Sequence, residues 1–357
     1  MAPKFNTLTV KEIRQETEDC VSVSFAVPEK LQADYAFIQG QYLTLRETIE
    51  GEDIRRSYSI CSGIEESDLR VAIKKVYDGK FSTYANESLK VGDQMQVMTP
   101  TGKFYTQLNP KQAKNYVLFA AGSGITPMLS ILKSVLAREP ESTLTLFYGN
   151  KTTDSVIFKE EIEALKNKNL TRLKVHYIMS REMLQSDLFC GRIDQAKCDQ
   201  LLNLLVRKDQ VDEYFICGPY QMTQDVRASL EANDIEKEKI HFELFTTEPI
   251  GGEQKKKATK PVQEINSKIK VILDGHEHNF NIYKSDETVL DIALKNGADL
   301  PFACKGGVCA TCKGKLEHGK VDMIVNYGLE QDEIDAGYVL TCQAVPTTDE
   351  VTVNFDA

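Results

Sequence analysis

The hydrophobic pattern of the chain changes near residue 110. Before that point, short runs of alternating or β-branched residues, such as SVSFAV, QYLTLRE, LRVAIKKV and MQVMTP, are separated by Gly, Pro and Asp. An alternation of period two is typical of half-buried strands. Short strands broken by turn residues therefore predict an antiparallel β-barrel.

Strand-like and helix-like runs alternate from Asn115 onward. The runs YVLFAAG, LTLFYG, LKVHYIMS and EYFICG have the pattern of strands, and PMLSILKSVLARE, SVIFKEEIEALKN and YQMTQDVRASLEAN have the pattern of helices. Alternating β and α units predict an α/β domain with a parallel sheet covered by helices.

A third pattern follows the segment TTEPIGGEQKKKATKPVQEINS, which is rich in Gly, Lys, Pro and Thr and poor in apolar residues. Such a composition is typical of an interdomain linker. Beyond it, KIKVILDG and HNFNIYK predict a hairpin, and ETVLDIALKNG predicts a helix that ends at Gly297. We therefore expect domains at 1–107, 108–248 and 266–357, with a linker at 249–265.

Composition and charge narrow the class of protein. The chain has 357 residues, of which 41% are hydrophobic and 27% charged, as expected of a globular protein with more than one core. No stretch approaches the roughly 20 apolar residues of a membrane span, and the N-terminus has no apolar core of signal-peptide length. We therefore expect a cytoplasmic protein without a membrane span.

The net charge of −10 argues against a nucleic-acid partner, because phosphates require a basic surface. The acidity is uneven: from Asn266 to the end, 15 Asp and Glu stand against 8 Lys and no Arg, a net charge of −7. This end of the chain could steer toward a basic patch on another protein.

Four of the nine cysteines follow the pattern C-x4-C-x2-C with a distant fourth member. They are Cys304, Cys309, Cys312 and Cys342. This is the spacing of a plant-type 2Fe-2S cluster, and Gly306 and Gly307 would let backbone N–H groups turn toward its sulfurs. The alternatives are a zinc site, which usually pairs its ligands as two short CxxC-like units, or four free thiols. The cysteines expected to be ordinary small hydrophobic residues are Cys20, Cys61, Cys190 and Cys198.

Two polar motifs lie in the barrel half. Arg56-Ser57-Tyr58-Ser59 offers a cation, an aromatic plane and hydroxyls, which are groups that a flavin needs. The run GKFST at 79–83 offers a Gly turn, a Lys and hydroxyls that could bind a pyrophosphate. Alone, the first motif also fits an exposed polar strand, and the second also fits a turn that leads into a helix.

Two further motifs lie where strands of the α/β half end. GSGITP at 122–127 follows a strand and opens a helix, so Gly122 and Gly124 would allow a phosphate close to a helix N-terminus. Thr126 is expected to cap this helix and Pro127 to be its first residue. The run CGP at 217–219 ends another strand, and a buried thiol before a turn is its alternative reading.

In this order, the motifs resemble those of the ferredoxin-NADP reductase family over roughly residues 1–248. The resemblance implies FAD rather than FMN, because the second phosphate motif is present. It also implies that Tyr58 stacks on the flavin ring and that Ser59 hydrogen-bonds to its reactive edge. The residues that would hold the FAD phosphates are Arg56, Lys80, Phe81 and Ser82.

The same resemblance implies roles for residues of the α/β half. Cys217 would position the nicotinamide together with Gly218 and Pro219, and Glu243 and Phe245 would face the flavin. The catalytic set would thus be Ser59, Cys217 and Glu243.

The choice of dinucleotide depends on the ends of two strands. Ser180-Arg181 matches a position that contacts the 2′-phosphate in this family, and Arg192 lies near enough in sequence to assist. No acidic residue at the end of LTLFYGN is placed to bind a ribose 2′-hydroxyl. We therefore expect NADPH, with NADH as the alternative.

The order of reductase, linker and C-terminal ferredoxin resembles the reductase components of bacterial multicomponent oxygenases. The run SREMLQSDLFCGRID is most similar to the reductase subunits of phenylacetyl-CoA epoxidases, whose partner is a di-iron oxygenase. The resemblance implies a β-grasp ferredoxin domain of the α+β class and electron transfer from NADPH through FAD and the cluster to that partner. Alternatives are a reductase for a Rieske oxygenase, a steroid hydroxylase or a hybrid-cluster protein, or a redox sensor without catalysis.

Overall fold

A computed structural model describes three stretches of the chain, which are 4–245, 264–284 and 286–357. These residues fall into two compact units. The larger unit holds 6–54 and 58–245, and the smaller holds the described residues from 264 onward with 4–5 and 55–57. All but the last two residues of the predicted linker, 249–265, lie outside the described part. In that part, no helix is long and apolar enough to cross a membrane.

The N-terminal part of the chain forms a six-stranded antiparallel sheet in the order β4-β3-β6-β1-β2-β5. Its elements are β1 (Phe5–Thr17), β2 (Cys20–Ala26), β3 (Tyr42–Ile49), β4 (Glu52–Ser59), β5 (Leu69–Lys74), α1 (Lys80–Glu87) and β6 (Gln94–Met98). A bridge between Ile60 and Val71 links the end of β4 to β5 and closes the sheet into a barrel. The predicted alternating runs are confirmed as β2, β3, β5 and β6.

The next part forms a five-stranded parallel sheet in the order β11-β10-β7-β8-β9. Its strands are β7 (Asn115–Ala121), β8 (Thr143–Asn150), β9 (Leu173–Met179), β10 (Glu213–Gly218) and β11 (Ile240–Leu244). Its helices are α2 (Ile125–Arg138), α3 (Lys159–Lys168), α4 (Gln195–Leu205) and α5 (Tyr220–Ala232). The parallel sheet is confirmed, whereas helix α4 was not predicted from the sequence.

Both faces of this parallel sheet are buried, which explains the nearly continuous apolar runs of its strands. In β7, Leu118 and Ala120 belong to one hydrophobic cluster, and Val117 and Phe119 belong to the cluster on the other side. The strands all end at one edge, so the segments that follow β7, β8, β9 and β10 are brought together there.

The described residues from Glu264 onward form a mixed sheet in the order β13-β12-β18-β14-β16, in which β12 and β18 are parallel and the other neighbouring pairs antiparallel. Its strands are β12 (Glu264–Leu273), β13 (His276–Lys284), β14 (Lys313–His318), β16 (Tyr338–Leu340) and β18 (Glu350–Asn354). The remaining elements are α6 (Val289–Lys295), β15 (Val321–Met323), α7 (Gln331–Asp335) and β17 (Ala344–Pro346). The predicted hairpin is β12–β13, and helix α6 ends before Gly297 as predicted, where φ is +81°.

Candidate functional site

Ser59, the last residue of β4, contacts Glu243 on β11, although the two residues lie 184 positions apart in the sequence. The Ser59 hydroxyl donates a hydrogen bond of 3.0 Å to a carboxylate oxygen of Glu243. Ser59 is buried and Glu243 is half-buried. Burial raises the pKa of Glu243 to about 7, and the bond from Ser59 opposes that rise.

Cys217 lies beside this pair, because it is the register partner of Glu243 on the neighbouring strand β10. Its side chain is completely buried, and burial raises the pKa of the thiol well above its ordinary value. Cys217 is therefore a neutral thiol at physiological pH. The structure thus groups all three residues that the sequence predicted to be catalytic.

Residues 122–124 form a 3-10 turn between β7 and α2 that packs directly on β10. A Cβ atom at Gly124 would lie 2.1 Å from the carbonyl oxygen of Cys217, so only glycine permits this approach. Gly122 has φ +54° and open space around the position of a Cβ. The turn and the start of α2 therefore form a cradle that fits a dinucleotide phosphate.

The predicted start of helix α2 was wrong. The helix begins at Ile125, its N-cap is Gly124, and the Thr126 hydroxyl donates to the Ser123 carbonyl at 3.0 Å instead of capping. The 3-10 turn runs straight into α2, so the helical backbone begins before Thr126. Pro127 lies in the first turn, where its missing N–H has no intrahelical partner to lose.

The second predicted flavin motif forms a helix N-terminus. Gly79 is the N-cap of α1, and the Ser82 hydroxyl donates to the Gly79 carbonyl at 3.1 Å and accepts from the Val76 N–H at 3.2 Å. Phe81 is buried, so only its backbone can face a phosphate. The Lys80 ammonium pairs with Glu52 at 2.8 Å. The turn, with its helix N-terminus and a lysine, fits a pyrophosphate.

The first flavin motif lies along β4. Tyr58 is half-buried and its ring centroid lies 5.8 Å from that of Phe81, with the planes tilted by 36°. Arg56 is exposed, and its guanidinium donates to the carbonyl of Arg55 at 2.8 Å. Ser57 between them is half-buried.

The loops after β8 and β9 are held together beside the nucleotide cradle. The N–H of Ser180 donates to the Asn150 carbonyl at 2.9 Å, and the N–H of Arg181 donates to the Lys151 carbonyl at 2.8 Å. The side chain of Arg181 is exposed.

Glu182 was not singled out from the sequence, but it fastens the same two loops. Its carboxylate accepts from the Thr153 N–H at 2.6 Å and from the Thr153 hydroxyl at 2.9 Å. These bonds lower the pKa of Glu182. Arg192 is exposed. It lies near the end of β9, because the N–H of the preceding residue, Gly191, donates to the Met179 carbonyl at 2.8 Å.

The remaining predicted contacts flank β10 and β11. Pro219 is the N-cap of α5, and a Cβ at Gly218 would lie 2.6 Å from the end of the Met222 side chain. Phe245 follows β11 and is 36% exposed. All three positions adjoin the strands that carry Cys217 and Glu243.

The four clustered cysteines lie together in the smaller unit. The Sγ atoms of Cys304 and Cys309 are 3.1 Å apart, and the thiol of Cys342 makes hydrogen bonds with Cys304 and Cys312. Hydrogen bonds from Cys309 and Cys342 lower the pKa of Cys304, which favours a thiolate. Four sulfur donors in a mostly buried loop fit an iron-sulfur cluster.

The backbone of the loop around these cysteines directs an N–H group at a sulfur and turns closely at a glycine. The Gly306 N–H donates to Cys304 Sγ at 3.3 Å. Gly307 has φ +74°, and a Cβ there would lie 2.7 Å from the Val325 carbonyl oxygen. Among the other cysteines, Cys20, Cys61 and Cys198 are buried as predicted, while Cys190 is half-buried.

Three family models match the chain in succession. They are the oxidoreductase FAD-binding domain over residues 7–105, the oxidoreductase NAD-binding domain over 118–228 and the 2Fe-2S iron-sulfur cluster binding domain over 271–347.

Relatives match over nearly the whole chain. A 1,2-phenylacetyl-CoA epoxidase subunit from Escherichia coli (strain K12) is 46% identical over 99% of this chain and 98% of its own length. The ferredoxin reductase component of 3-ketosteroid-9-alpha-monooxygenase from Rhodococcus rhodochrous is 33% identical over 98% and 96%. The solved structure of phthalate dioxygenase reductase has the same fold, with a TM-score of 0.60, 20% identity and 98% of each chain covered.

Proposed function

The chain belongs to the family of oxidoreductases that join FAD-binding, NAD-binding and 2Fe-2S cluster binding domains, and from that membership we propose that it delivers electrons from NADPH to a phenylacetyl-CoA epoxidase. The observation that carries the choice of partner is 46% identity to the epoxidase subunit over 99% of the chain. The domain limits 1–107, 108–248 and 266–357 are part of the proposal. The family models, which lie within these limits, support them.

Bound FAD supplies the chemistry that connects the two ends of this path, since it accepts a hydride and can release electrons singly, as a 2Fe-2S cluster requires. The protein groups at this point are Ser59, Cys217 and Glu243. A carboxyl with a pKa of about 7 can hold a proton near neutrality and exchange it through the hydroxyl to which it is hydrogen-bonded. Glu243 would thus store a proton, and Ser59 would present it.

Cys217 has a different role, because its thiol stays neutral. This neutral thiol is buried beside the cradle of 122–124, so it would support a nicotinamide site from below without placing a charge next to the ring. The close packing of Gly124 on the Cys217 carbonyl holds the cradle and the thiol at a constant separation. The same segment would then bind the phosphates and orient the reacting ring.

Selection of NADPH is assigned to the loops after β8 and β9. An exposed guanidinium at Arg181 can bind a 2′-phosphate, with Ser180 and Arg192 nearby. Glu182 would position Arg181, since it fastens the loop to Thr153.

The experiment for this assignment is anaerobic stopped-flow reduction of the bound flavin by NADPH and by NADH. We expect Arg181→Ala to raise the apparent KM for NADPH about tenfold or more, which corresponds to loss of a charge-assisted contact of about 1.5 kcal/mol, and to leave NADH nearly unchanged. Arg138→Ala is the matched control, because this exposed arginine ends α2 far from the cradle that begins it. An equal effect on both dinucleotides would refute the assignment.

The choice of partner is tested by reconstitution with a purified phenylacetyl-CoA epoxidase oxygenase component, measuring epoxide formed per NADPH consumed. Coupled product formation supports the proposal. Rapid reduction of cytochrome c without coupled epoxidation would show an active reductase that serves another acceptor.

A further inference from the structure

Gln343 is a buried polar residue beside the cluster loop, with 7% of its surface exposed. It directly follows Cys342, the cysteine that stands apart from the other three in sequence. Its backbone is held on both sides, because its N–H donates to the Leu340 carbonyl at 2.9 Å and its carbonyl accepts from the Ile324 N–H at 3.1 Å. The position of its side chain is therefore set by the surrounding fold.

The amide nitrogen of Gln343 has two acceptors near it. It donates to the Lys305 carbonyl at 3.0 Å and approaches Cys342 Sγ at 3.6 Å. Both neighbours accept hydrogen bonds and neither can donate one to an amide oxygen when the sulfur is a thiolate. The chemistry of the neighbours therefore agrees with an amide that points its NH₂ group toward them.

The hydrogen bond from Gln343 to the Lys305 carbonyl also affects a second sulfur, that of Cys304. Lys305 has φ +51°, which is an uncommon conformation for a residue with a side chain. This conformation precedes the Gly306 N–H that donates to Cys304 Sγ at 3.3 Å. By holding the Lys305 carbonyl, Gln343 stabilises the turn that directs this N–H at the sulfur.

The loop also leaves room for the glutamine. A Cβ at position 307 would lie 3.0 Å from Gln343 Cγ, so the glycine there accommodates the stem of this side chain. The Gln343 side chain therefore connects the loop of 304–309 to Cys342.

We propose that Gln343 sets the reduction potential of the cluster, by donating directly to Cys342 Sγ and by positioning the Gly306 N–H on Cys304 Sγ. Reduction adds one electron to the cluster, and N–H donors to its sulfurs stabilise the added negative charge. Gln343 therefore makes the cluster easier to reduce. The inference rests on the family's cluster and not on the identity of the acceptor.

The test is redox titration of the purified full chain, followed by the electron paramagnetic resonance signal of the reduced cluster. We expect Gln343→Met, which keeps the length but has no N–H donor, to shift the midpoint potential to more negative values and to change the g-values. The flavin midpoint potential is expected to stay unchanged. Gln331→Met is the matched control, because Gln331 lies in the same unit on α7 and donates to Asp335 instead of the loop.

A second measurement needs no variant. In the natural chain labelled with ¹⁵N in its glutamine amides, the reduced cluster is expected to show a hyperfine coupling to an amide nitrogen. A cluster of unchanged potential in Gln343→Met would overturn the proposal. So would the absence of an amide coupling in the labelled natural chain, even if the variant failed to assemble a cluster.

Discussion

At the residue scale, the site depends on buried groups whose ionisation differs from that of free side chains. Glu243 has a pKa near 7 because burial disfavours its charged form, and Cys217 keeps its proton for the same reason. Neither property is visible in the sequence HFELF or ICGP. Both arise because folding buries the two residues on the neighbouring strands β10 and β11.

Glu243→Gln is expected to change how stability depends on pH. The folded chain keeps a proton on Glu243 up to a pKa of about 7, whereas the ordinary value is 4.5. Because the unfolded chain loses this proton first, the residue lowers the free energy of unfolding by about 3 kcal/mol as the pH rises through that window. In the variant, the free energy of unfolding should no longer fall by this amount between pH 5 and pH 8, and urea unfolding at the two pH values measures it.

Flavin reduction provides a second readout for the same variant. Glutamine cannot exchange a proton, so the rate with NADPH should lose its dependence on pH near neutrality. Glu238→Gln serves as control, because Glu238 is exposed and precedes β11. The role of Glu243 would be contradicted by a variant whose stability and rate follow the natural pH profile.

At the scale of secondary structure elements, turns and helix ends hold the site in place. The turn of 122–124 packs on β10 through a glycine, and Glu139 just beyond α2 anchors the opposite end of that helix. The buried Glu139 carboxylate accepts hydrogen bonds from the Tyr116 hydroxyl at 2.9 Å and the Ser142 hydroxyl at 2.7 Å. The backbone N–H of Asn109 donates to it at 3.1 Å.

Gly124→Ala is expected to destabilise the chain and to weaken NADPH binding. The new Cβ would lie 2.1 Å from the Cys217 carbonyl oxygen, so β10 or the turn must shift, at a cost of about 1–3 kcal/mol. Urea unfolding and the KM for NADPH measure the two effects. Gly92→Ala is the control, since its φ is +96° but its surroundings are open, and it should change stability by about 1 kcal/mol without affecting KM.

Glu139→Ala is expected to lower the free energy of unfolding by about 3 kcal/mol, because it leaves several buried donors without an acceptor. Urea unfolding monitored by circular dichroism measures the change. The neighbouring Glu141→Ala should have almost no effect, because Glu141 is exposed. Equal effects of the two substitutions would show that Glu139 is not a structural anchor.

At the scale of the whole molecule, nucleotide chemistry and one-electron chemistry are assigned to different compact units of the chain. The nucleotide cradle and the Ser59–Glu243 pair belong to the larger unit, and the four clustered cysteines belong to the smaller. Residues 266–357, which lie in the smaller unit, carry a net charge of −7. Loss of the cluster should therefore leave the first half of the reaction intact.

Cys309→Ser is expected to abolish the visible absorption of the cluster and the reduction of cytochrome c. Reduction of the flavin by NADPH should continue at its natural rate, because that step does not use the cluster. Absorption spectra and stopped-flow traces report both results. Cys198→Ser is the control, since this buried thiol lies on α4 in the other unit. Simultaneous loss of flavin reduction in Cys309→Ser would contradict the separation.

The sequence by itself determined the types of domain and predicted the four cysteines that are proposed as ligands of the cluster. Period-two runs specify strands, alternating strand and helix runs specify a parallel sheet, and the spacing of Cys304, Cys309 and Cys312 specifies an iron-sulfur loop, since these patterns depend on local geometry. The start of α2 was misplaced at Thr126 because capping residues alone do not reveal a 3-10 turn that runs into a helix.

Only the tertiary structure decided which distant residues meet. Ser59 meets Glu243 across 184 positions, Glu182 fastens Thr153, and Gln343 reaches Lys305 across 38 positions. The hydrogen bonds of these pairs cannot be read from the sequence, because each depends on how strands and loops pack after the chain has folded. The raised pKa of Glu243 follows from the same packing, since burial is a property of the whole fold.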